Sequence, residues 1–213
     1  MDYRLEAGLW VVLSVGLFGL WTSYLARFLK AIKLQAFWAE VLQELTFGFY
    51  FLGIPAIALI RGTVLPRFMG FTHLDWLGGV GPLVQSTLFF GLLILALRVI
   101  RGRTDPGDPG TASPLANFKE ALYFQVHWGL YRAFAAPVLG LSGGVLIGWA
   151  ISLAEGILYF LGERRKGAEH YATIFRFGSL AVATGVVFLL SRNFFYCLAL
   201  HWLLAELMGR MKV

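Results

Sequence analysis

The feature that most constrains this chain is a series of apolar stretches, each close to the length that a helix needs to cross a bilayer. A membrane-spanning helix takes about 20 predominantly apolar residues. We predict about seven spanning helices, at residues 7–26, 41–60, 81–100, 117–135, 138–161, 174–191 and 193–208. The predicted fold is therefore all-α, a polytopic transmembrane helical bundle.

The composition agrees with this fold class and argues against a soluble enzyme. Hydrophobic residues make up 58% of the 213 residues and charged residues only 14%, whereas an ordinary soluble domain carries about 25% charged residues. The net charge of +6 would suit nucleic acid, but the basic residues lie mostly in short loops between apolar stretches rather than in one stripe. We therefore expect lipids as partners and no nucleic acid.

The basic residues predict the orientation in the membrane. The first apolar stretch is followed by Arg27, Lys30 and Lys33, whereas a cleaved signal peptide carries its positive charge in front. We expect this stretch to remain as a spanning helix with the N-terminus outside. The C-terminus is then cytoplasmic, and the location that we predict is the inner (plasma) membrane of a prokaryote.

This orientation agrees with the positive-inside rule, which favours Lys and Arg in cytoplasmic loops. Twelve of the 18 basic residues fall on the cytoplasmic side: Arg27, Lys30, Lys33, Arg98, Arg101, Arg103, Lys119, Arg164, Arg165, Lys166, Arg210 and Lys212.

One segment is rich in turn-forming residues. It is RTDPGDPGTASP at residues 103–114, where Pro and Gly interrupt a continued helix. The segment separates N-terminal helices in residues 1–102 from a C-terminal core in residues 115–208. The sequence shows no internal repeat, and we predict a single integral membrane domain over residues 1–213.

Three titratable residues stand alone in three different apolar stretches. They are Glu120, Glu155 and His201. A titratable side chain at membrane depth is unfavourable by a few kcal/mol or more unless it faces a cavity or a partner. The three positions therefore predict a shared polar centre inside the bundle.

A ridge of small residues indicates where two helices approach closely. A small residue occurs at every fourth position of the fifth stretch, at Gly140, Gly144, Gly148, Ser152 and Gly156. Such ridges let helix backbones come together in membranes. Glu155 follows Gly148 by two helical turns, so its carboxyl group is expected to point into the bundle.

The residues themselves leave three interpretations of this centre open. His127 shares a helix face with Glu120, and together with Glu155 and His201 these residues could hold a water molecule or a metal ion such as zinc. Alternatively, the buried carboxylates are protonated or hydrogen-bonded to His and Tyr and fix the packing of the helices. In a third interpretation, His127 and His201 are axial ligands of a haem or a chlorin.

At these residues the chain resembles the CPBP family of intramembrane proteins, which includes the type II CAAX prenyl endopeptidases. The first family motif, a Glu-Glu pair with Arg after three further residues, aligns with residues 120–125 (EALYFQ), where the first Glu is kept. The second, Phe with His four residues later, falls on residues 151–155 (ISLAE), where Glu155 replaces the His. The third, His with Asn or Asp four residues later, keeps His201 but has Ala205 in place of the Asn.

The resemblance covers about residues 115–207. It implies an all-α membrane bundle in which, in active relatives, the first-motif Glu and two later His residues activate water for cleavage near a C-terminus. The equivalent catalytic set here is Glu120, Glu155 and His201, and a Glu, Glu, His set can also ligate zinc or iron.

The departures from the motifs remove the groups expected to orient a catalytic base. Our leading hypothesis is therefore a non-proteolytic member of this fold, an accessory or structural subunit that binds other membrane protein subunits. The alternatives are an active intramembrane hydrolase with an altered site and a haem- or chlorophyll-binding subunit.

Overall fold

The computed structural model describes residues 3–20, 36–100, 113–162 and 168–208, and within these ranges it contains helices and no strands. The elements are α1 (Tyr3–Leu20), α2 (Ala36–Gly48), a π-helix (Phe49–Gly53), α3 (Ile54–Ile60), α4 (Pro66–Met69), α5 (Trp76–Ile100), α6 (Pro114–Gly162), α7 (Ala168–Ser191) and α8 (Phe194–Met208). The predicted all-α class is confirmed.

Some sequence predictions fall outside the described ranges. The turn-rich segment does so at residues 103–112. So do most of the basic residues assigned to the cytoplasmic side: Arg27, Lys30, Lys33, Arg101, Arg103, Arg164, Arg165, Lys166, Arg210 and Lys212.

Three of the described helical stretches are long and apolar enough to cross a membrane. They are Val41–Ile60, Trp76–Ala96 and Pro114–Leu158. Three further helices are apolar but shorter: Leu5–Leu20, Arg176–Ser191 and Phe194–Met208. These lengths and compositions are consistent with integration into a membrane.

A π-helix widens the second predicted span. The backbone N–H of Ile54 donates to the carbonyl oxygen of Phe49, five residues earlier, and Gly48 and Gly53 both keep helical dihedral angles. Pro55 follows directly, and it has no N–H to continue the α-helical pattern. The helix therefore stays continuous from α2 to α3, but the wide turn changes which side chains point inward. Such turns occur often at functional sites.

The longest helix, α6, is two helices joined by a sharp turn. Gly140 has φ 71° and ψ 176°, a conformation that glycine adopts without steric cost. The turn folds residues 141–162 back against residues 114–139. A Cβ at Gly144 would lie 2.6 Å from the carbonyl oxygen of Arg132, and one at Gly148 would lie 3.1 Å from its amide nitrogen. The two halves of α6 therefore meet at the Gly144 and Gly148 positions of the predicted ridge, whereas Gly156 faces Phe177 of α7.

The last helix, α8, lies in the interior and packs against α5, α6 and α7. Its buried residues are Phe194, Cys197, Leu198, Leu200, His201, Leu204 and Ala205. Asn193 begins the helix, because its side-chain oxygen accepts the backbone N–H of Phe195 at 2.9 Å. The first residue of α5 also packs here, with the ring of Trp76 stacked on that of Phe195.

The close approach at Gly144 predicts a specific loss of stability. We expect Gly144→Ala to lower the free energy of unfolding by about 1–3 kcal/mol, because the new methyl group overpacks the contact with Arg132. Thermal unfolding in detergent measures the change. Gly16→Ala in α1 is the control, since a Cβ at Gly16 meets nothing within 4 Å. Equal melting temperatures for the two variants would contradict this packing.

Candidate functional site

The carboxyl group of Glu155 lies at the centre of a buried polar cluster. Its Oε1 accepts hydrogen bonds from the hydroxyl groups of Tyr50 and Tyr131 and lies 3.5 Å from Nε2 of His127. Glu155 is 4% exposed, and His127 and Tyr131 are fully buried. Ser14 of α1 completes the group, and its hydroxyl lies 3.0 Å from that of Tyr131. We call these five residues the Glu155 cluster.

The local structure explains why these side chains meet. His127 and Tyr131 are one helical turn apart on the first half of α6, and Nε2 of His127 lies 2.8 Å from the Tyr131 hydroxyl. Glu155 faces them because the second half of α6 runs back along the first. Tyr50 lies in the π-helix, and its ring centroid is 4.4 Å from that of His127. The cluster therefore connects four segments of the chain.

His201 belongs to a second buried contact, with Gln125. Nδ1 of His201 lies 2.9 Å from Nε2 of Gln125, and both residues are fully buried. The imidazole also stacks on the rings of Phe124 and Trp128, with centroid distances of 6.0 and 5.4 Å. Among the described residues, neither Nε2 of His201 nor Oε1 of Gln125 has a hydrogen-bond partner.

Glu120 makes an ion pair with Arg176 of α7. One guanidinium nitrogen, Nη2, donates to both carboxylate oxygens at 3.0 and 3.2 Å. The Arg176 side chain is 6% exposed and that of Glu120 is 34% exposed. The pair links the first half of α6 to α7.

The structure thus brings His127 and Glu155 into one cluster, whereas Glu120 and His201 contact other residues. Within the described ranges, no three His, Cys, Asp or Glu side chains form a group that could hold a metal ion. The two candidate haem ligands also lie in separate contacts, since His127 is in the Glu155 cluster and His201 pairs with Gln125.

Sequence reasoning did not identify the groups that partner these residues. They are Ser14, Tyr50, Gln125, Tyr131 and Arg176. Two of them carried a signal: Tyr131 follows His127 by one helical turn, and Arg176 is a basic residue inside a predicted span. A lone cation at membrane depth requires a partner, and Glu120 was available.

The arrangement of the Glu155 cluster supports two kinds of role. A carboxyl group beside an imidazole and two phenols can exchange a proton within the cluster. The same hydrogen bonds also hold helices together, since hydroxyl and carboxyl groups buried among apolar residues are unfavourable when they are left unpaired.

In comparisons with known proteins, no family model, no curated protein and no solved structure matches the chain. The resemblance of residues 115–207 to the CPBP family therefore stays a prediction.

Removal of the Tyr131 hydroxyl tests how much the hydrogen bonds of the Glu155 cluster stabilise the fold. We expect Tyr131→Phe to lower the free energy of unfolding by about 1–3 kcal/mol, because Glu155 loses a buried hydrogen-bond donor. Tyr123→Phe on the same helix is the control, since the described contacts of Tyr123 do not include the cluster. Thermal unfolding in detergent should show a clear decrease for Tyr131→Phe alone, and similar decreases for both variants would contradict the assignment.

The ion pair of Glu120 predicts a second loss of stability. We expect Glu120→Gln to lower the free energy of unfolding by about 2–3 kcal/mol, because the buried Arg176 loses its anion while the partly exposed Glu120 limits the loss. Glu44→Gln removes the same charge from an exposed pair with Lys119, and such pairs contribute little. If denaturation curves showed that Glu44→Gln destabilises the protein as much as Glu120→Gln does, the ion pair of Glu120 with Arg176 would stabilise the fold no more than an exposed pair.

Proposed function

We propose that the chain is a non-proteolytic integral membrane protein that serves as an accessory or structural subunit of a membrane complex. In this proposal it crosses the inner membrane of a prokaryote about seven times, with the N-terminus outside and the C-terminus in the cytoplasm. The positions of the helices support the number of crossings, because each predicted span overlaps a described helix, the continuous stretch from α2 to α3, or one half of α6.

The observation that carries the proposal is the separation of the three candidate catalytic residues. Glu155 is engaged by Tyr50 and Tyr131, His201 by Gln125, and Glu120 by Arg176. A hydrolytic centre needs its base, its metal ion or its orienting groups at one point. Each polar residue here instead joins a different pair of chain segments.

The burial and the hydrogen bonds of Glu155 also support a structural role. A general base must reach the proton that it removes, directly or through one water molecule. Glu155 is 4% exposed, and its Oε1 already accepts two tyrosine hydroxyl groups. The hydrogen bonds stabilise the contact between α1, the π-helix and both halves of α6.

The apolar surface supports contact with lipid or with another subunit. One face of α5 exposes large apolar side chains at helical spacing: Val80, Val84, Leu88, Leu92 and Leu95. Lipid chains and apolar helices of a partner cover such a face equally well, because membrane helices associate through close packing. A subunit role requires only that some of this surface is covered by a partner.

A second candidate function rests on the His127 and Glu155 pair. Their 3.5 Å contact in a buried cluster resembles an acid and base arrangement. On this alternative the chain is an intramembrane hydrolase whose site lies at the Glu155 cluster.

One purified sample distinguishes the two functions. The full chain is isolated from its native membrane in mild detergent and assayed for a stoichiometric partner, for metal content and for cleavage of a prenylated or transmembrane peptide. We expect a membrane protein partner and no cleavage. Cleavage that is lost in folded Glu155→Gln but kept in Glu44→Gln would overturn the proposal, as would about one zinc ion per chain that is lost in the same variant.

A further inference from the structure

An apolar pocket lies where three segments of the chain meet. It encloses about 290 Å³ and is partly open at the surface. Ala7 of α1, Thr63 of the turn after α3, and Pro137 and Ile147 of the two halves of α6 are among its lining residues. All of the lining residues except Thr63 are apolar. The pocket is therefore an opening for an apolar group, and it is separate from the Glu155 cluster.

The pocket lies near the ends of the helices that form it. The helix α1 begins four residues before Ala7, α3 ends at Ile60, and α6 reverses direction at Gly140. The stretch Val41–Ile60, which ends here, is long and apolar enough to cross a membrane. The end of a spanning helix lies at the boundary between the hydrocarbon core and the headgroups. The pocket is therefore at the depth where the acyl chains of lipids begin.

The local sequence explains why this space stays open. Pro137 has no N–H, so it interrupts the regular hydrogen bonding of α6 just before the sharp turn. The lining alanines, Ala7 and Ala135, are small and only 3% and 6% exposed. Val138 and Leu139, by contrast, are 58% and 55% exposed. The two alanines therefore form the inner wall of the pocket, and the two larger residues form an apolar rim.

The volume and the lining suit one hydrocarbon chain. Pockets for drug-sized ligands enclose about 300–1,000 Å³, so this pocket is at the lower limit. An apolar cavity of about 150 Å³ binds benzene, and a pocket of nearly twice that volume has room for roughly a dozen carbon atoms. The hydroxyl oxygen of Thr63 is buried away from the surface, so the lining offers no accessible donor that would orient a polar ligand.

An exposed ion pair lies beside the pocket. Nε of Arg61 donates to the carboxylate of Glu6 at 2.7 Å, and Glu6 directly precedes Ala7 in α1. The hydrogen bond from Arg61 lowers the pKa of the Glu6 carboxyl group, and the nearby Thr63 side chain adds to this effect. The Arg61 side chain is 60% exposed. A guanidinium group carries five N–H donors, and the bond to Glu6 uses one, so others are available to bind phosphate oxygens.

We propose that this pocket binds one acyl chain of a phospholipid whose phosphate group pairs with Arg61. The acyl chain enters over Val138 and Leu139 and ends against the inner wall, while the headgroup stays at the level of the helix ends. Apolar contacts select a hydrocarbon chain, and the charge of Arg61 selects a lipid that carries phosphate. The proposal requires only that the chain lies in a membrane, and it does not depend on the accessory or structural role proposed above.

Photolabelling in a defined bilayer tests the site. The full chain is placed in discs of an uncharged glycolipid that contain increasing fractions of phosphatidylglycerol with a photoreactive acyl chain, and mass spectrometry locates the labelled residues. We expect labelling of the pocket residues to saturate at a low fraction of phosphatidylglycerol. Labelling of the exposed α5 residues Leu88 and Leu92 should instead rise in proportion to that fraction. A photoreactive glycolipid with the same acyl chains should label both places in proportion.

Matched variants assign the saturable labelling to the pocket. Ala7→Leu fills the inner wall and Val138→Trp narrows the exposed rim, so each should abolish saturation. Ala150→Leu adds the same atoms as Ala7→Leu at an exposed position outside the pocket and should keep it. Arg61→Gln should weaken binding by about two- to five-fold, as expected for an exposed ion pair.

Three results would overturn the proposal. The first is labelling of the pocket by phosphatidylglycerol that only rises in proportion, as on α5. The second is a photoreactive glycolipid that saturates the pocket as phosphatidylglycerol does, because phosphate would then play no part. The third is undiminished saturation in folded Val138→Trp, which decides the outcome alone if Ala7→Leu does not fold.

Discussion

The buried carboxyl group of Glu155 is the constraint on which the rest of the structure depends. A lone carboxyl group among apolar helices is unfavourable unless it receives hydrogen bonds. Tyr50 and Tyr131 supply them, and each reaches Glu155 only because of a particular backbone feature. The turn at Gly140 folds α6 so that Tyr131 faces Glu155, and the π-helix carries Tyr50 inward. The polar group and the two irregular elements therefore require one another.

The same principle explains why the polar residues do not form one centre. Each buried polar group is most stable when a neighbouring helix satisfies it locally. His201 meets Gln125, and Glu120 meets Arg176. A chain that uses its polar residues in this way gains fixed helix contacts. Not every buried polar atom is satisfied in this way, since Nε2 of His201, Oε1 of Gln125 and two guanidinium nitrogens of Arg132 have no hydrogen-bond partner among the described residues.

The helices were predictable from the sequence, but the contacts between them were not. Apolar length located the helices, and the four-residue spacing that includes Gly144 located one close approach between them. Helical spacing gives the face on which a residue lies and not what lies opposite that face. It therefore did not show that Gln125 is the partner of His201. The π-helix was also missed, because periodicity assumes a regular helix, and Tyr50 was missed with it.

The most direct test of this account is a double-mutant cycle between Tyr131→Phe and Glu155→Gln, with the free energy of unfolding measured in detergent for both single variants and the double variant. If the hydrogen bond between these residues holds the α6 halves together, the two changes are coupled by about 1–2 kcal/mol. Losses that add with no coupling would contradict the account, because they would show that the carboxyl group and the hydroxyl group stabilise the bundle independently.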